Sequence, residues 1–472
     1  MEKIILETKE RFYVPGISVS VLKDKEKMHY GFGLSDCEAD VEAAPDTVYC
    51  IGSSTKAFTA TALCILAAEG RLDIDMPVKK YLTEFRMYDE YSTEQLTIRD
   101  ALSHRSGLPR HDTSWLNTPE RTTAEQVAAL AYMEPAWPLR YRFHYQNHMF
   151  MVATLIVERV SEMSWGDFVK ERILRPLQMN STYIYGDEIR DGDKKKARPY
   201  MLRKEKPVRM PYNYMKSAGG AGTMYSTTED MLKWLDFHLN GNDKVLSKEW
   251  LHEMHEPQTI IRPGEILPAE FPEIQFTSYG LGWFIESYEG HKIVHHGGTV
   301  EGFKSEQIFV PGKNIGISML CNLNQTKALS ALGYRLLDEL LGEEQSDWNK
   351  KFLDACKEAA EKNSEAMKSA MEAAGKLVKE CNDMEQYKGT YVNKAYGEAK
   401  VSNDGKHVLL SMIGLTLPTL PTGEDSFHLM VESYELFFPV KFLRNEKGRV
   451  CALLIPLEEN LKQKPIRFER KE

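Results

Sequence analysis

Hydrophobic and polar positions follow two different periods along the chain. Residues 17–22 form a β-rich run entered through Pro15-Gly16, and residues 28–33 are a candidate hairpin partner. From residue 55 to residue 70 apolar positions recur at helical spacing on most faces, which predicts a buried helix. Further helices are predicted at 98–103, 124–133, 148–161 and 165–173, and further strands at 279–286, 292–295, 305–309 and 316–321.

Strands at both ends of a largely helical middle predict an α+β fold whose first and last strands are neighbours. Residues 346–383 are rich in Ala, Glu and Lys and contain no Pro, which predicts a connecting helix or helix pair. From residue 384 onward, short alternating segments are separated by turn signals such as Asn403-Asp404-Gly405, the pattern of a small antiparallel barrel. We therefore expect a domain at 1–345, a helical linker at 346–383 and a barrel at 384–472.

The composition excludes several classes of protein. The chain has 472 residues, 42% hydrophobic and 27% charged, as in a soluble protein of more than one domain. Its formal charge of −9 provides no basic excess for nucleic acid, and no apolar run is long enough for a membrane span. The first residues turn charged too early for a secretory signal, and seven scattered cysteines indicate reduced thiols. We expect a cytoplasmic protein with no nucleic-acid or membrane partner.

A candidate nucleophile stands at the start of the predicted buried helix, where residues 53–56 read Ser-Ser-Thr-Lys. Three residues are nearly one helical turn, so the Ser53 hydroxyl and the Lys56 amine share a face. Burial lowers the pKa of a lysine, and a neutral amine can take the serine proton. Ser20 and Lys23 have the same spacing, but they fall in a predicted strand, whose alternation points them to opposite faces. Ser53 is therefore the expected nucleophile.

Further motifs follow in order. Residues 96–108 read LTIRDALSHRSGL, residues 143–147 read FHYQN, residues 279–283 read YGLGW and residues 295–303 read HHGGTVEGF. This ordered set, over roughly residues 10–345, resembles the serine β-lactamase and penicillin-binding-protein superfamily, in its class C β-lactamase-related branch of esterases and D-aminopeptidases. The resemblance implies an antiparallel sheet flanked by helices, with an all-helical subdomain. It also implies a hydrolase that works through an acyl-enzyme.

The resemblance implies a role for each motif residue. Ser53 would attack the acyl carbon, Lys56 would accept its proton, and Tyr145 would shuttle a proton to the leaving group and activate water. How Lys56 and Tyr145 divide this work stays open. Asn147 would bind a substrate amide carbonyl, and the backbone N–H groups of Ser53 and Thr299 would form an oxyanion hole.

The third motif departs from that of the antibiotic-binding relatives. Where they have Lys-Thr-Gly, this chain has His296-Gly297-Gly298, without the permanent cation and the hydroxyl that bind a substrate carboxylate. We therefore expect an ester, small amide or peptide substrate rather than efficient β-lactam hydrolysis. His296 is assigned to the substrate site, with holding an edge strand, orienting Tyr145 and a purely structural role as open alternatives.

Some alternative functions remain open, and other kinds of site are excluded. A true β-lactamase and a ligand-binding or sensor protein without turnover are the alternatives. No Gly-x-Ser-x-Gly occurs, and the cluster at 252–256 fits no zinc motif, so neither a metal nor a cofactor is implied.

His104 is expected to be structural, and loops at 105–140 and 255–278 are candidates to face the substrate. The tail resembles, more weakly, a lipocalin-like barrel, which would narrow the active-site mouth, mediate oligomerisation or pack passively.

Overall fold

The described residues of the first part of the chain contain thirteen strands. The computed structural model describes residues 1–190, 192–212, 215–263, 265, 271–375, 383–431, 436–458 and 464–471. The strands are β1 (Gly16–Lys23), β2 (Glu26–Asp36), β3 (Val41–Glu42), β4 (Tyr49–Cys50), β5 (Tyr200–Arg203), β6 (Lys206–Arg209), β7 (Tyr225–Ser226), β8 (Thr259–Ile261), β9 (Ile274–Tyr279), β10 (Phe284–Tyr288), β11 (His291–Val300), β12 (Phe303–Val310) and β13 (Ile315–Cys321).

Nine of these strands form one sheet, in the order β3-β2-β1-β13-β12-β11-β10-β9-β8. Neighbouring strands of this sheet run antiparallel, and β1 pairs with β13 from Ile17 opposite Cys321 to Lys23 opposite Ile315. The expectation that the first and last strands are neighbours is therefore confirmed. Nearly every residue of β1 is buried, because helices cover both faces of the sheet at this point.

Twelve helices accompany the strands in the described residues. They are α1 (Glu2–Arg11), α2 (Thr55–Ala68), α3 (Glu90–Gln95), α4 (Ile98–Leu102), α5 (Asp112–Leu116), α6 (Thr123–Ala128), α7 (Asn147–Ser161), α8 (Trp165–Val169), α9 (Thr228–Asn240), α10 (Lys248–Met254), α11 (Ala328–Leu341) and α12 (Trp348–Gly375). Helix α2 is buried from Thr55 to Leu66, as its apolar pattern predicts. The Phe58 ring stacks on Trp234 of α9 with centroids 3.9 Å apart, which fixes α2 beneath the sheet. None of the helices in the described ranges has both the length and the apolar character needed to cross a bilayer.

The last part of the chain forms a closed antiparallel barrel in which β14 pairs with β21. Its strands are β14 (Gly389–Asn393), β15 (Gly397–Asn403), β16 (Val408–Met412), β17 (Leu415–Gly423), β18 (Ser426–Val431), β19 (Leu436–Arg444), β20 (Val450–Ile455) and β21 (Ile466–Arg470). The predicted fold class, an α+β domain followed by a small antiparallel barrel, is confirmed.

One expectation about strands is wrong, and one open alternative is excluded. Residues 279–286 do not form one strand, because β9 ends at Tyr279 and β10 begins at Phe284. Gly282, with φ +79°, brings the turn so close to α2 that a Cβ there would lie 3.2 Å from the Lys56 carbonyl oxygen. His296 does not hold an edge strand either, because β11 lies between β10 and β12. The first candidate substrate loop, 105–140, contains α5 and α6. Part of the second, 255–278, lies outside the described residues. The same holds for residues 376–382 of the predicted linker.

The barrel contacts the first domain around the end of α5. Asn117 donates from Nδ2 to the carbonyl oxygens of Tyr396 and Glu398, and its Oδ1 accepts from the backbone N–H of Ile413. Arg121 donates to the carbonyl oxygen of Ala395 at 2.8 Å. One polar segment after α5 thus attaches the barrel by several directional hydrogen bonds.

Candidate active site

Ser53 lies on a 3₁₀ turn, Gly52–Ser54, that leads directly into α2. Ser54 donates from Oγ to the carbonyl oxygen of His296 at 3.0 Å, and Ser305 donates to the carbonyl oxygen of Ile51 at 2.7 Å. These bonds attach the turn to β11 and β12. A Cβ on Gly298 would lie 1.9 Å from the Ile51 carbonyl oxygen, so the two backbones approach as closely as only glycine permits.

The Lys56 amine is fully buried beside Ser53. Its Nζ lies 3.2 Å from Ser53 Oγ, 2.7 Å from Asn147 Oδ1 and 2.7 Å from the carbonyl oxygen of Ala221. Burial lowers the pKa of Lys56 well below its ordinary value; Arg110 lowers it further, and Asp112 opposes the shift. This environment favours the neutral amine.

A neutral amine fits these three neighbours of Lys56. It has two N–H donors and one lone pair, whereas an ammonium has three donors and no acceptor. The oxygens of Asn147 and Ala221 only accept, so they take the two N–H groups. The lone pair is then left for the hydroxyl hydrogen of Ser53, which is the arrangement a general base requires.

Tyr145 is placed next to both groups. The Lys56 Nζ lies 4.8 Å from the centroid of its ring, and the Arg110 guanidinium lies 5.1 Å from the same centroid. Burial raises the pKa of Tyr145, while its hydrogen bond with Ser53 and the charge of Arg110 act to lower it. The phenol therefore stays protonated and can serve as a proton donor.

Two buried histidines lie against Tyr145 and the neighbouring Tyr279. His104 lies with its ring centroid 4.2 Å from that of Tyr145, and its Nδ1 accepts from the backbone N–H of Gln146 at 3.1 Å. His296 is 1% exposed and its Nε2 is 2.9 Å from the Tyr279 hydroxyl. Burial, followed by the nearby Lys56, lowers the pKa of both imidazoles well below the ordinary value. Both rings are thus neutral parts of the wall around the phenol.

Asn147 begins α7 and links Lys56 to a further carboxylate. Its Nδ2 donates to Asp112 Oδ1 at 2.8 Å, while its Oδ1 accepts from Lys56. Asp112 also accepts from Trp115 Nε1 at 2.9 Å and from Arg110 Nε at 2.6 Å. Burial acts to raise the pKa of Asp112, but Arg110 and these hydrogen bonds hold it below its ordinary value.

Arg110 and Asp112 are the two residues of the site that sequence reasoning missed. They follow the SGLP run at residues 106–109, inside the loop that was expected to face the substrate. The side chain of Arg110 is 55% exposed, whereas that of Asp112 is 23% exposed. Their only sequence signal is a charged pair directly after a motif segment.

The glycine-containing part of β11, residues 297–299, lies beside the nucleophile turn, the 3₁₀ turn Gly52–Ser54 that carries Ser53. Thr299 is exposed on β11, and its backbone nitrogen lies 3.1 Å from the position that a Cβ would take on Gly52. Gly297 is packed against Glu306, whose Oε2 would lie 2.6 Å from a Cβ at that position. The strand thus brings the Thr299 N–H next to the turn that carries Ser53.

This geometry agrees with the comparisons with known proteins. The β-lactamase family model matches residues 2–341. The chain belongs to the β-lactamase family. It is accordingly a serine hydrolase of that family, and the resemblance found in the motifs is confirmed. A second family model, a domain of unknown function (DUF3471), matches residues 379–470.

Two relatives match large parts of the chain. An unguisins hydrolase of Aspergillus campestris is 28% identical over 489 residues, covering 97% of this chain and 89% of that protein. The protein flp of Staphylococcus aureus is 30% identical over 327 residues, covering 69% of this chain and 63% of flp, less than two thirds of its length.

Two solved structures superpose on the chain. The octameric penicillin-binding protein homologue from Pyrococcus abyssi has a TM-score of 0.65 and 26% identity, and the match covers 99% of both chains. A D-amino acid amidase from Ochrobactrum anthropi has a TM-score of 0.60 and 23% identity over 72% of this chain and 99% of its own, a likeness of fold.

Proposed function

We propose that the protein hydrolyses an ester or a small amide or peptide through an acyl-enzyme on Ser53. The observation that carries the proposal is the environment of Lys56, in which two acceptors at 2.7 Å leave the lone pair for the Ser53 hydroxyl. A protein that only binds a ligand has no need of a buried lysine with a lowered pKa beside a serine hydroxyl.

In the proposed acylation, the Ser53 hydroxyl loses its proton to Lys56 while its oxygen bonds to the acyl carbon. The backbone N–H groups of Ser53 and Thr299 stabilise the oxyanion. Tyr145 then gives its proton to the leaving group as the bond to that group breaks, and the proton held by Lys56 restores the phenol. Deacylation repeats these steps with water as the nucleophile and Ser53 as the leaving group.

The proposed substrate class follows from the third motif and from the relatives. His296 is buried and neutral, so residues 296–298 provide no fixed cation for the carboxylate of a β-lactam. Gly297, Gly298 and Thr299 are proposed to border the substrate through their backbone, and the second hydrogen of Asn147 Nδ2 to bind a substrate carbonyl. A relative named a hydrolase matches the chain over 97% of its length, which supports turnover.

We also propose that the domains divide at residues 345 and 384. The two family models, which match residues 2–341 and 379–470, support these positions. The barrel contacts at Asn117 and Arg121 favour a role near the active-site loop over passive packing.

Hydrolysis of p-nitrophenyl butyrate and of the cephalosporin nitrocefin tests this function. We expect ester turnover with little nitrocefin turnover, and a loss of roughly 10³-fold or more in Ser53→Ala. Ser20→Ala, which removes the other serine with a lysine three residues on, is the matched control and should retain turnover. Efficient nitrocefin hydrolysis would instead identify a true β-lactamase, and equal rates for Ser53→Ala and wild type would contradict Ser53 as the nucleophile.

A further inference from the structure

The amide of Asn147 has a defined orientation because its two neighbours accept and donate differently. A carboxylate only accepts, so Asp112 requires the NH₂ group of Asn147 to face it at 2.8 Å. The amide oxygen must then face Lys56, 2.7 Å away. In the opposite orientation the NH₂ group would approach the Lys56 lone pair and compete with the Ser53 hydroxyl for it.

The Asp112 carboxylate is itself held by three donors. Asn147 and Trp115 donate to Oδ1, and Arg110 donates to Oδ2. Both carboxylate oxygens are therefore engaged, and a rotation of the group would break bonds to α5, α7 and the preceding loop together.

The barrel reaches this segment through His111, the residue before Asp112. His111 has φ +49° and ψ 28°, a left-handed conformation that is costly for a residue with a Cβ. Its Nε2 donates to the Glu134 carbonyl oxygen at 3.1 Å, and its Nδ1 lies 2.5 Å from the Tyr396 hydroxyl of the barrel and 4.0 Å from the Glu458 carboxylate. Burial lowers the pKa of His111 to about 4, consistent with this neutral tautomer. Two side-chain bonds thus hold the strained backbone that directs Asp112 inward.

We propose that Asp112 is a positioning residue that fixes the Asn147 amide so that Lys56 can act as the base, and that Tyr396 of the barrel holds Asp112 in place. This inference rests on the proposed function, in which Lys56 takes the proton of Ser53. It makes the barrel a structural part of the catalytic unit without contact between Tyr396 and the substrate.

The sign of the pH effect follows from the charges around Lys56. The facing groups are Tyr145, His104, His296, Arg110 and Asp112. The first three are neutral, Arg110 lowers the pKa of Lys56, and Asp112 raises it. Removing the Asp112 charge must therefore lower the pKa of Lys56 further.

The test is the pH profile of kcat/KM in Asp112→Asn, which keeps the shape but allows either amide orientation. We expect the maximal kcat/KM to fall at least about tenfold. We also expect the acid limb, the rise of kcat/KM with pH as Lys56 loses its proton, to move to lower pH. Asp36→Asn is the matched control, because Asp36 also pairs with an arginine, Arg198, at 3.2 Å and accepts from backbone N–H groups. A fall in rate with an unmoved acid limb would assign Asp112 a merely structural role and overturn the proposal.

A double-mutant cycle tests the link to the barrel. Tyr396→Phe keeps the ring and removes the hydroxyl that lies next to His111 Nδ1. We expect it to shift the acid limb in the same direction as Asp112→Asn but less, and the double variant to be no worse than Asp112→Asn alone. Fully additive losses would show that the two residues act independently, which would overturn the role of Tyr396.

A measurement that needs no turnover separates this inference from the proposed function. The pKa of Lys56 is followed by NMR titration of labelled lysine in a Ser53→Ala background, with and without Asp112→Asn. We expect the pKa of Lys56 to be lower in the double variant, and an unchanged pKa would overturn the positioning role. Wild type that forms no acyl adduct while Asp112→Asn still lowers the pKa would contradict the proposed function alone.

Discussion

The protonation of Lys56 depends on two residues of opposite charge, Arg110 just before α5 and Asp112 at its first position. Arg110 lowers the pKa of Lys56 and acts to lower that of Tyr145, and Asp112 acts in the opposite direction on both. Because the proposed base must be neutral and the proposed acid protonated, the pH range of activity lies between these two pKa values.

Arg110→Gln should therefore move the whole pH profile of kcat/KM toward higher pH. Loss of the positive charge raises the pKa of Lys56 and that of Tyr145, so both limbs shift upward, opposite to Asp112→Asn. Arg449→Gln, on an exposed turn of the barrel, is the control. A profile that moves to lower pH, or stays in place, would contradict the charge assignment.

Spacing was enough to predict Ser53 and Lys56 as a pair, because residues nearly one helical turn apart share a face. Tyr145 was added only by the resemblance of residues 143–147 to the family's second motif. Spacing could not predict that Asn147 faces Asp112. That contact joins positions 35 residues apart in sequence, and nothing local marks the pair. His104, expected to be structural, accepts a backbone hydrogen bond next to Tyr145.

At the level of elements, β11 and the nucleophile turn are packed backbone against backbone. Gly298→Ala would place a Cβ 1.9 Å from the Ile51 carbonyl oxygen and 2.6 Å from Ser305 Oγ. We expect a loss of about 1–3 kcal/mol in the free energy of unfolding, together with reduced kcat/KM. Gly312→Ala, where no atom lies within 4 Å, should stay within about 0.5 kcal/mol in urea unfolding. Equal stability of the two variants would contradict this packing.

The opposite face of the same sheet carries a buried ion cluster. His295 lies 3.4 Å from Glu286 and 3.2 Å from Glu306, and Tyr334 donates to Glu286 at 2.8 Å. Burial acts to lower the pKa of His295, but the two carboxylates outweigh it and raise the pKa to about 10. The imidazolium thus joins β10, β11 and β12.

This raised pKa makes stability depend on pH. The contribution of His295 is fully present below its unfolded pKa of about 6.5 and is lost progressively as pH rises to about 10. Urea unfolding from pH 6 to pH 10 should show wild type losing up to about 1.4 kcal/mol per pH unit relative to His295→Gln. His407→Gln, an exposed histidine, is the control. Parallel curves for wild type and His295→Gln would contradict the assignment.

Element prediction succeeded where periodicity was long and failed where backbone contact decided the structure. The apolar run at 55–70 indicated α2 nearly to its ends. The run at 279–286 has strand composition, but the turn at Gly282 is required by its contact with α2, which no local pattern records.

At the level of the whole molecule, the barrel is attached at the end of α5, the helix that begins with Asp112. Asn117→Ala removes three hydrogen bonds to the barrel and should increase hydrogen exchange in β14 and β15, with a loss of about 1–3 kcal/mol. Asn240→Ala, which removes two side-chain bonds within the first domain, is the control. Unchanged exchange in these strands would show that Asn117 does not hold the barrel.

The fold class was accessible from the sequence because helical and alternating segments are separated along the chain. The attachment of the barrel to the first domain could not be predicted from the sequence. Its contacts join the side chains of Asn117 and Arg121 to backbone carbonyl oxygens about 275 residues later, and every residue has such a carbonyl.

The most direct test of the central claim is the mass of the protein after mixing with an activated ester, followed by peptide mapping. We expect a transient acyl adduct on the peptide that contains Ser53, absent in Ser53→Ala and strongly slowed in Lys56→Ala. No adduct in wild type, or an adduct that persists in Ser53→Ala, would contradict catalysis through an acyl-enzyme on Ser53.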